Sequence, residues 1–180
     1  MSSAVDRIYG ETAEISELLT RRGSISLLAT ANEVRSKSLL LAVASYFETT
    51  LCECVRKFCN DRIGYPSIIG DLVESKVISR QYHTWFDWKT PSAGPFFALF
   101  GKDFSIKMKQ RLKDDEPFSK AVGDFLQLGS DRNRLVHQDF ATYVLESTAE
   151  EIYQRYISAK TFTDNVFKML CEFDDERKSL

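Results

Sequence analysis

An all-α fold, an antiparallel helical bundle of four to five main helices, follows from three observations on this 180-residue chain. Apolar residues recur at three- and four-residue intervals over long stretches, the spacing that gathers side chains on one helix face. No stretch alternates convincingly with a period of two, so nothing reads as a half-buried strand. Short polar links with helix-ending and helix-opening residues separate the periodic stretches, which joins neighbours antiparallel. The length suits a single domain over residues 1–180 with a sizeable core. No internal repeat, low-complexity tract or long linker interrupts it.

Taken in order, Val5, Ile8, Thr12, Ile15 and Leu19 predict a short amphipathic helix over about 3–21. Arg21, Arg22 and Gly23 end it, with cations in the last turn and glycine beyond. Leu40, Val43, Phe47, Thr50, Leu51, Cys54 and Phe58 form the strongest stripe, across roughly 31–61. Such a helix is ~45 Å long at ~1.5 Å per residue, and Gly64 and Pro66 close it. Ile68, Ile69, Leu72, Val73 and Val77 predict a third helix over 67–82. The pattern then breaks in an irregular segment, 83–104, crowded with aromatics: Trp85, Phe86, Trp88, Phe96, Phe97, Phe100 and Phe104. These are expected to pack the end of the bundle or an oligomer interface rather than to stack on bases, because few cations are interleaved, with His83 structural. Residues 105–113 are a short basic helical piece. Pro117 opens a helix to about Leu128, Gly129-Ser130 lead into the next stretch, and Phe140–Glu146 is a helix tail or an extended link. Thr148-Ala149-Glu150-Glu151 is a capping box that opens a last helix running to about Phe173.

Composition narrows the partners. Hydrophobic residues make up 43% and charged residues 28%, with 24 basic against 26 acidic residues and a net charge of −2. That balance excludes the broad basic field of a general nucleic-acid binder, so an RNA site has to be local or shared between chains. No apolar run approaches the ~20 residues of a membrane span. The start lacks the basic end and apolar centre of a signal peptide, so a cytoplasmic protein that does not associate with membrane is expected. Cys52, Cys54, Cys59 and Cys171 fall inside predicted helices without zinc spacing, so free thiols and no metal or other cofactor are expected.

The chemistry is expected in Arg132-Asn133-Arg134-Leu135-Val136-His137. A histidine of ordinary pKa exchanges a proton near neutral pH, and a guanidinium grips a phosphate in two-pronged fashion. Together they suffice to cleave a phosphodiester without metal. Against this, residues five apart in a continuous helix are rotated ~140° from each other. A helix capped by Ser130 or Asp131 would put Arg132 and Asn133 in an exposed first turn and soften that objection. Glu48 borders the apolar stripe of the long helix. It is either an edge carboxylate turned to water or a partner that orients Arg132 or His137. Lys107, Lys109, Arg111 and Arg134 are the local candidates for contacts to an RNA backbone.

On SYFET at 45–49, LFGKDF at 99–104, RNRLVHQDF at 132–140 and TAEEIYQRY at 148–156, the chain resembles the HEPN superfamily, most of all its RiboL-PSP-HEPN group. The resemblance runs over most of the chain from about residue 35. It implies a four- or five-helix bundle, usually a homodimer whose two Arg-His motifs line one cleft. Many such domains are metal-independent endoribonucleases of toxin–antitoxin or antiviral defence systems, restrained by an antitoxin or another defence-system protein. Others only dimerise and bind RNA or protein partners. Carried over, His137 is the general acid or base, Arg132 stabilises charge on the phosphate, Asn133 positions it, and Glu48 stands where some members place a catalytic glutamate. Members regulated by nucleotidylation carry tyrosine two residues after the histidine. Asp139 stands there instead, which departs from that mode of control.

Overall fold

The computed structural model describes residues 3–64 and 66–179. Its helices are α1 (Ala4–Arg21), α2 (Ile25–Ile63), α3 (Ile68–Val73), α4 (Gly94–Leu99), α5 (Lys102–Asp114), α6 (Glu116–His137), α7 (Ala149–Thr163) and α8 (Val166–Lys178). Among the described residues no strand forms, and a single isolated bridge pairs Asp87 with Ser92. The all-α bundle expected from periodicity is therefore observed, with more and shorter pieces at its end than four or five.

α2 is the axis on which the bundle is built. It runs 39 residues, about 58 Å at ~1.5 Å per residue, and starts a turn and a half earlier than its apolar stripe announced. Leu39, Leu40, Val43, Phe47, Leu51 and Val55 are all buried along it. By length and composition alone α2 is apolar enough to cross a membrane, which corrects the expectation that no run would be. In the fold that row packs against α6, α7 and α8. Gly23, with φ +67, turns the chain between α1 and α2. α1 then lies on α2 and α7, where Tyr9 stacks on Tyr153 at 3.9 Å and Tyr153 donates to Asp6.

Other boundaries also differ from the sequence expectation, and a short helix, α4, forms inside the segment expected to be irregular. The third helix turns into a π-helical stretch, Glu74–Ile78, after α3. The last helix divides at Asp164-Asn165, where the Asn165 side chain donates to the carbonyl of Thr161. α6 does not stop at Leu128; it continues unbroken through Gly129-Ser130 to His137. A glycine inside a helix costs ~1 kcal/mol against alanine. Burying Leu128 and Leu135, both within 1% of full burial, contributes ~1.5–3 kcal/mol each, so the stripe carries the helix across the weak step. Neither Ser130 nor Asp131 caps a new helix. The cap is Asp115, which accepts from the Phe118 N–H at 3.0 Å. At the other predicted start the capping box forms: the Glu151 N–H donates to Thr148 and the Thr148 N–H to Glu151.

The aromatic segment packs the bundle, as its composition demanded. Trp85, Phe86, Phe96, Phe97 and Phe104 are buried. Phe86 meets Phe125 of α6 at 4.8 Å, and Phe97 meets Phe162 of α7 at 6.4 Å.

Candidate active site

Arg132 and Asn133 of α6 and Glu48 of α2 line one cavity of about 360 Å³. The helical rows explain their meeting. Ala44, Phe47 and Glu48 are three and four residues apart on α2, and Phe125, Leu128, Gly129, Arg132 and Asn133 follow the same spacing on α6. The apolar members of each row enter the core: Phe47, Phe125 and Leu128 are at most 2% exposed. The polar members are thereby delivered to the mouth. Among the described residues no hydrogen bond or ion pair engages the side chains of Arg132, Asn133 or Glu48. Glu48 is exposed and does not form the ion pair with Arg132 or His137 that would orient them directly. It shares the cavity with Arg132 instead.

His137 does not line the cavity. It is the last residue of α6 and exposed. In the continuous helix it stands ~140° around from Arg132 but only ~40° from Asn133, one turn earlier. Its side chain is exposed and stands outside the lining of its own chain's cavity. The following segment is fixed by Lys37 of α2, a side chain 2% exposed that donates to Glu33 and, at 2.8 Å, to the carbonyl of Phe140. The ammonium also lies 5.0 Å from the centre of the Phe140 ring. Nothing in the sequence pattern marked Lys37.

Asp131, beside the site, is buried at 3% exposure. It accepts from Gln127 Nε2 at 2.8 Å and from Arg134, with Arg155 of α7 3.9 Å away. Arg134 is therefore paired with Asp131, with its side chain about half exposed. The other cations proposed for RNA are also elsewhere than the cavity. Lys107 pairs with Glu176, Arg111 pairs with Asp115 at 3.1 Å, and Lys109 is exposed on α5.

The third wall comes from the chain after the π-helical stretch: Arg80, Tyr82, His83 and Trp88. Sequence reasoning assigned His83 to structure and Trp88 to packing, and singled out neither Arg80 nor Tyr82. His83 is exposed at the cavity, and its carbonyl accepts from Trp88 Nε1 at 3.2 Å. Arg80 has φ +59, the one non-glycine among the described residues with positive φ. That conformation costs roughly 1–2 kcal/mol and is the kind of strain that clusters at binding sites. Burial pushes the Tyr82 phenol far above its ordinary value, helped by the Glu48 carboxylate and opposed by Arg132. Burial and then Glu48 likewise push the Cys52 thiol up to about 11, so it stays protonated and unreactive at neutral pH. Cys54, Cys59 and Cys171 are also free and half-buried. Among the described residues no three His, Cys, Asp or Glu side chains gather where a metal ion could sit.

The wall is tied to α2 by Arg56, whose Nε and Nη2 donate to Glu74 at 2.8 and 3.0 Å. This holds the Glu74 carboxyl below its ordinary 4.5. A depressed folded pKa means the tether is fully present above the ordinary glutamate value and is lost as pH falls through the lower folded one. Acidification below about 4.5 is expected to loosen the 80–88 wall, read as a red shift of tryptophan emission. Glu74→Gln should show no such acid-linked phase, and an identical phase in both proteins would remove Glu74 as its cause.

The family model described as RiboL-PSP-HEPN matches residues 6–172 of the chain. No curated protein and no solved structure gives a significant match.

Proposed function

The chain belongs to the RiboL-PSP-HEPN family, and from that premise we propose that it is a metal-independent endoribonuclease of the toxin or antiviral-defence type. The observation that carries the reading is the convergence of Glu48, Arg132 and Asn133 on one open cavity, with His137 exposed one turn beyond Asn133. A general base removes the proton of a ribose 2′-hydroxyl, and the 2′-oxygen attacks the adjacent phosphorus. The 5′-oxygen leaves and takes a proton from a general acid, giving a 2′,3′-cyclic phosphate and a 5′-hydroxyl. Arg132 neutralises charge that grows on the phosphoryl oxygens, Asn133 orients the phosphate, and Glu48 accepts from the sugar hydroxyl.

The reaction calls for an acid and a base, and one chain has a single His137 set ~140° from its own Arg132. A homodimer that brings two α6 ends together supplies both imidazoles, and the His137 of one chain then serves the cavity of the other. The purified protein is expected to cleave single-stranded RNA with a chelator present and to leave cyclic-phosphate ends. Equal cleavage by His137→Ala would take that residue out of the mechanism.

A second reading is a non-catalytic module that dimerises and binds RNA or a protein partner such as an antitoxin. The net charge of −2 favours it, since it provides little general attraction for RNA. Growth arrest on expression that disappears with Arg132→Ala supports the enzyme. A harmless wild type that binds RNA or a partner tightly supports the module.

A further inference from the structure

The interior of the cavity is aromatic, while its rim carries two guanidinium groups, Arg80 and Arg132, and one carboxylate, Glu48. Trp88 and Tyr82 are half-buried walls, and Phe47 and Phe125 close the floor. Among the described residues the guanidinium groups of Arg80 and Arg132 carry no ion pair or hydrogen bond. A flat apolar body attached to an anion matches this arrangement, and a nucleotide has that form. We propose that the cavity is a nucleobase pocket: one unstacked nucleotide of a single-stranded RNA inserts its base against Trp88 and Tyr82, with its phosphate on Arg132 and Arg80. This rests on the reading of the site as one that takes RNA, and adds which state of RNA it accepts.

The size agrees. About 360 Å³ lies in the range of ligand pockets, roughly 300–1,000 Å³. Trp88 is held ready for stacking. Its indole N–H is bonded to the His83 carbonyl, and its six-membered ring lies so close to α6 that a Cβ at Gly129 would fall 1.9 Å from it. A residue already ordered in its binding pose loses little freedom when the ligand arrives. Gly129 is thus the only residue type that lets the ring reach this seat. Bases in an A-form duplex stay stacked with a deep, narrow major groove, so they cannot enter; a single strand can turn one base outward. Stacking on an aromatic face tolerates any base, and the pocket therefore selects strandedness before sequence.

The test reads binding without cleavage, in full-length protein carrying His137→Ala. An end-labelled eight-nucleotide single-stranded RNA is titrated by fluorescence anisotropy, with tryptophan emission recorded alongside, beside the same oligonucleotide with abasic positions and its duplex. The intact strand should quench Trp88, and the duplex should not compete. Trp88→Ala should weaken binding about tenfold, and Trp88→Phe, which keeps a ring, should retain most of the affinity. An abasic position at the inserted nucleotide should weaken binding to the Trp88 protein by a similar factor and add nothing to Trp88→Ala. Gly129→Ala, which unseats the ring, should resemble Trp88→Ala. Equal affinity for intact and abasic strands in all these proteins overturns the pocket. If that occurs while the protein with His137 intact still cleaves RNA, the ribonuclease reading stands alone. Stacking without cleavage by any form leaves the pocket and overturns the ribonuclease reading. Absence of RNA binding overturns both.

Discussion

Replacing Arg132 with alanine is expected to reduce RNA cleavage about 10²–10³-fold, the loss typical of removing one pre-placed group that stabilises developing charge. Folding should be nearly untouched. Among the described residues the Arg132 side chain has no ion pair or hydrogen bond to lose, and substitutions free of such ties stay within ~0.5 kcal/mol. Arg132→Lys keeps the charge without the planar fork, so it should recover only part of the rate. The check is single-turnover cleavage beside urea melts of the three proteins. A rate loss that tracks a fall in the urea midpoint would make Arg132 a structural residue and remove it from the chemistry.

Phe125→Ala is expected to cost about 3–5 kcal/mol of stability, a large part of the 5–15 kcal/mol that typical domains possess. The ring is 1% exposed and joins four parts of the chain. It lies 5.4 Å from Phe47 of α2, 4.8 Å from Phe86, 6.0 Å from Trp88 and 5.4 Å from Phe162 of α7. Removing it leaves a hole between core and cavity that no single neighbour can fill, since each is held by the others. Phe125→Leu refills most of that volume and should unfold at a midpoint much nearer the wild type. Urea denaturation of both proteins decides. A cost below ~1 kcal/mol for alanine would mean that the cavity floor is not the packed junction described.

Much of the architecture was legible because it is periodic. The stripe of α2, the Thr148–Glu151 capping box and the aromatic crowd of 83–104 each rest on neighbours within a few residues or on sheer apolar content. The misplaced boundaries have opposite causes. Gly129-Ser130 was judged by local preference, which burial of Leu128 and Leu135 overrode, whereas the run through Asp164-Asn165 was read as unbroken from its apolar spacing. There, side-chain bonding at Asn165 attended the break.

The site was legible in part. Arg132, Asn133 and Glu48 share a cavity, whereas His137 lies beyond its rim and Arg134 is turned to Asp131. Arg80, Tyr82, His83 and Trp88 had no signal in spacing: a positive φ at Arg80 and a ring seated on Gly129 leave no mark in a one-dimensional pattern.

The sequence by itself determined that this is an all-α protein, which residues form its apolar stripes, and that its charge is too balanced for indiscriminate RNA binding. Those properties depend on the 3.6-residue turn and on composition, and both are local. The tertiary structure alone decided which polar side chains meet. That depends on helix rows from distant parts of the chain being pressed together by their buried members. Phe47 carries Glu48 to the cavity, Phe125 and Leu128 carry Arg132, and the bend after the π-helical stretch brings Trp88 against the one glycine of α6 that admits it.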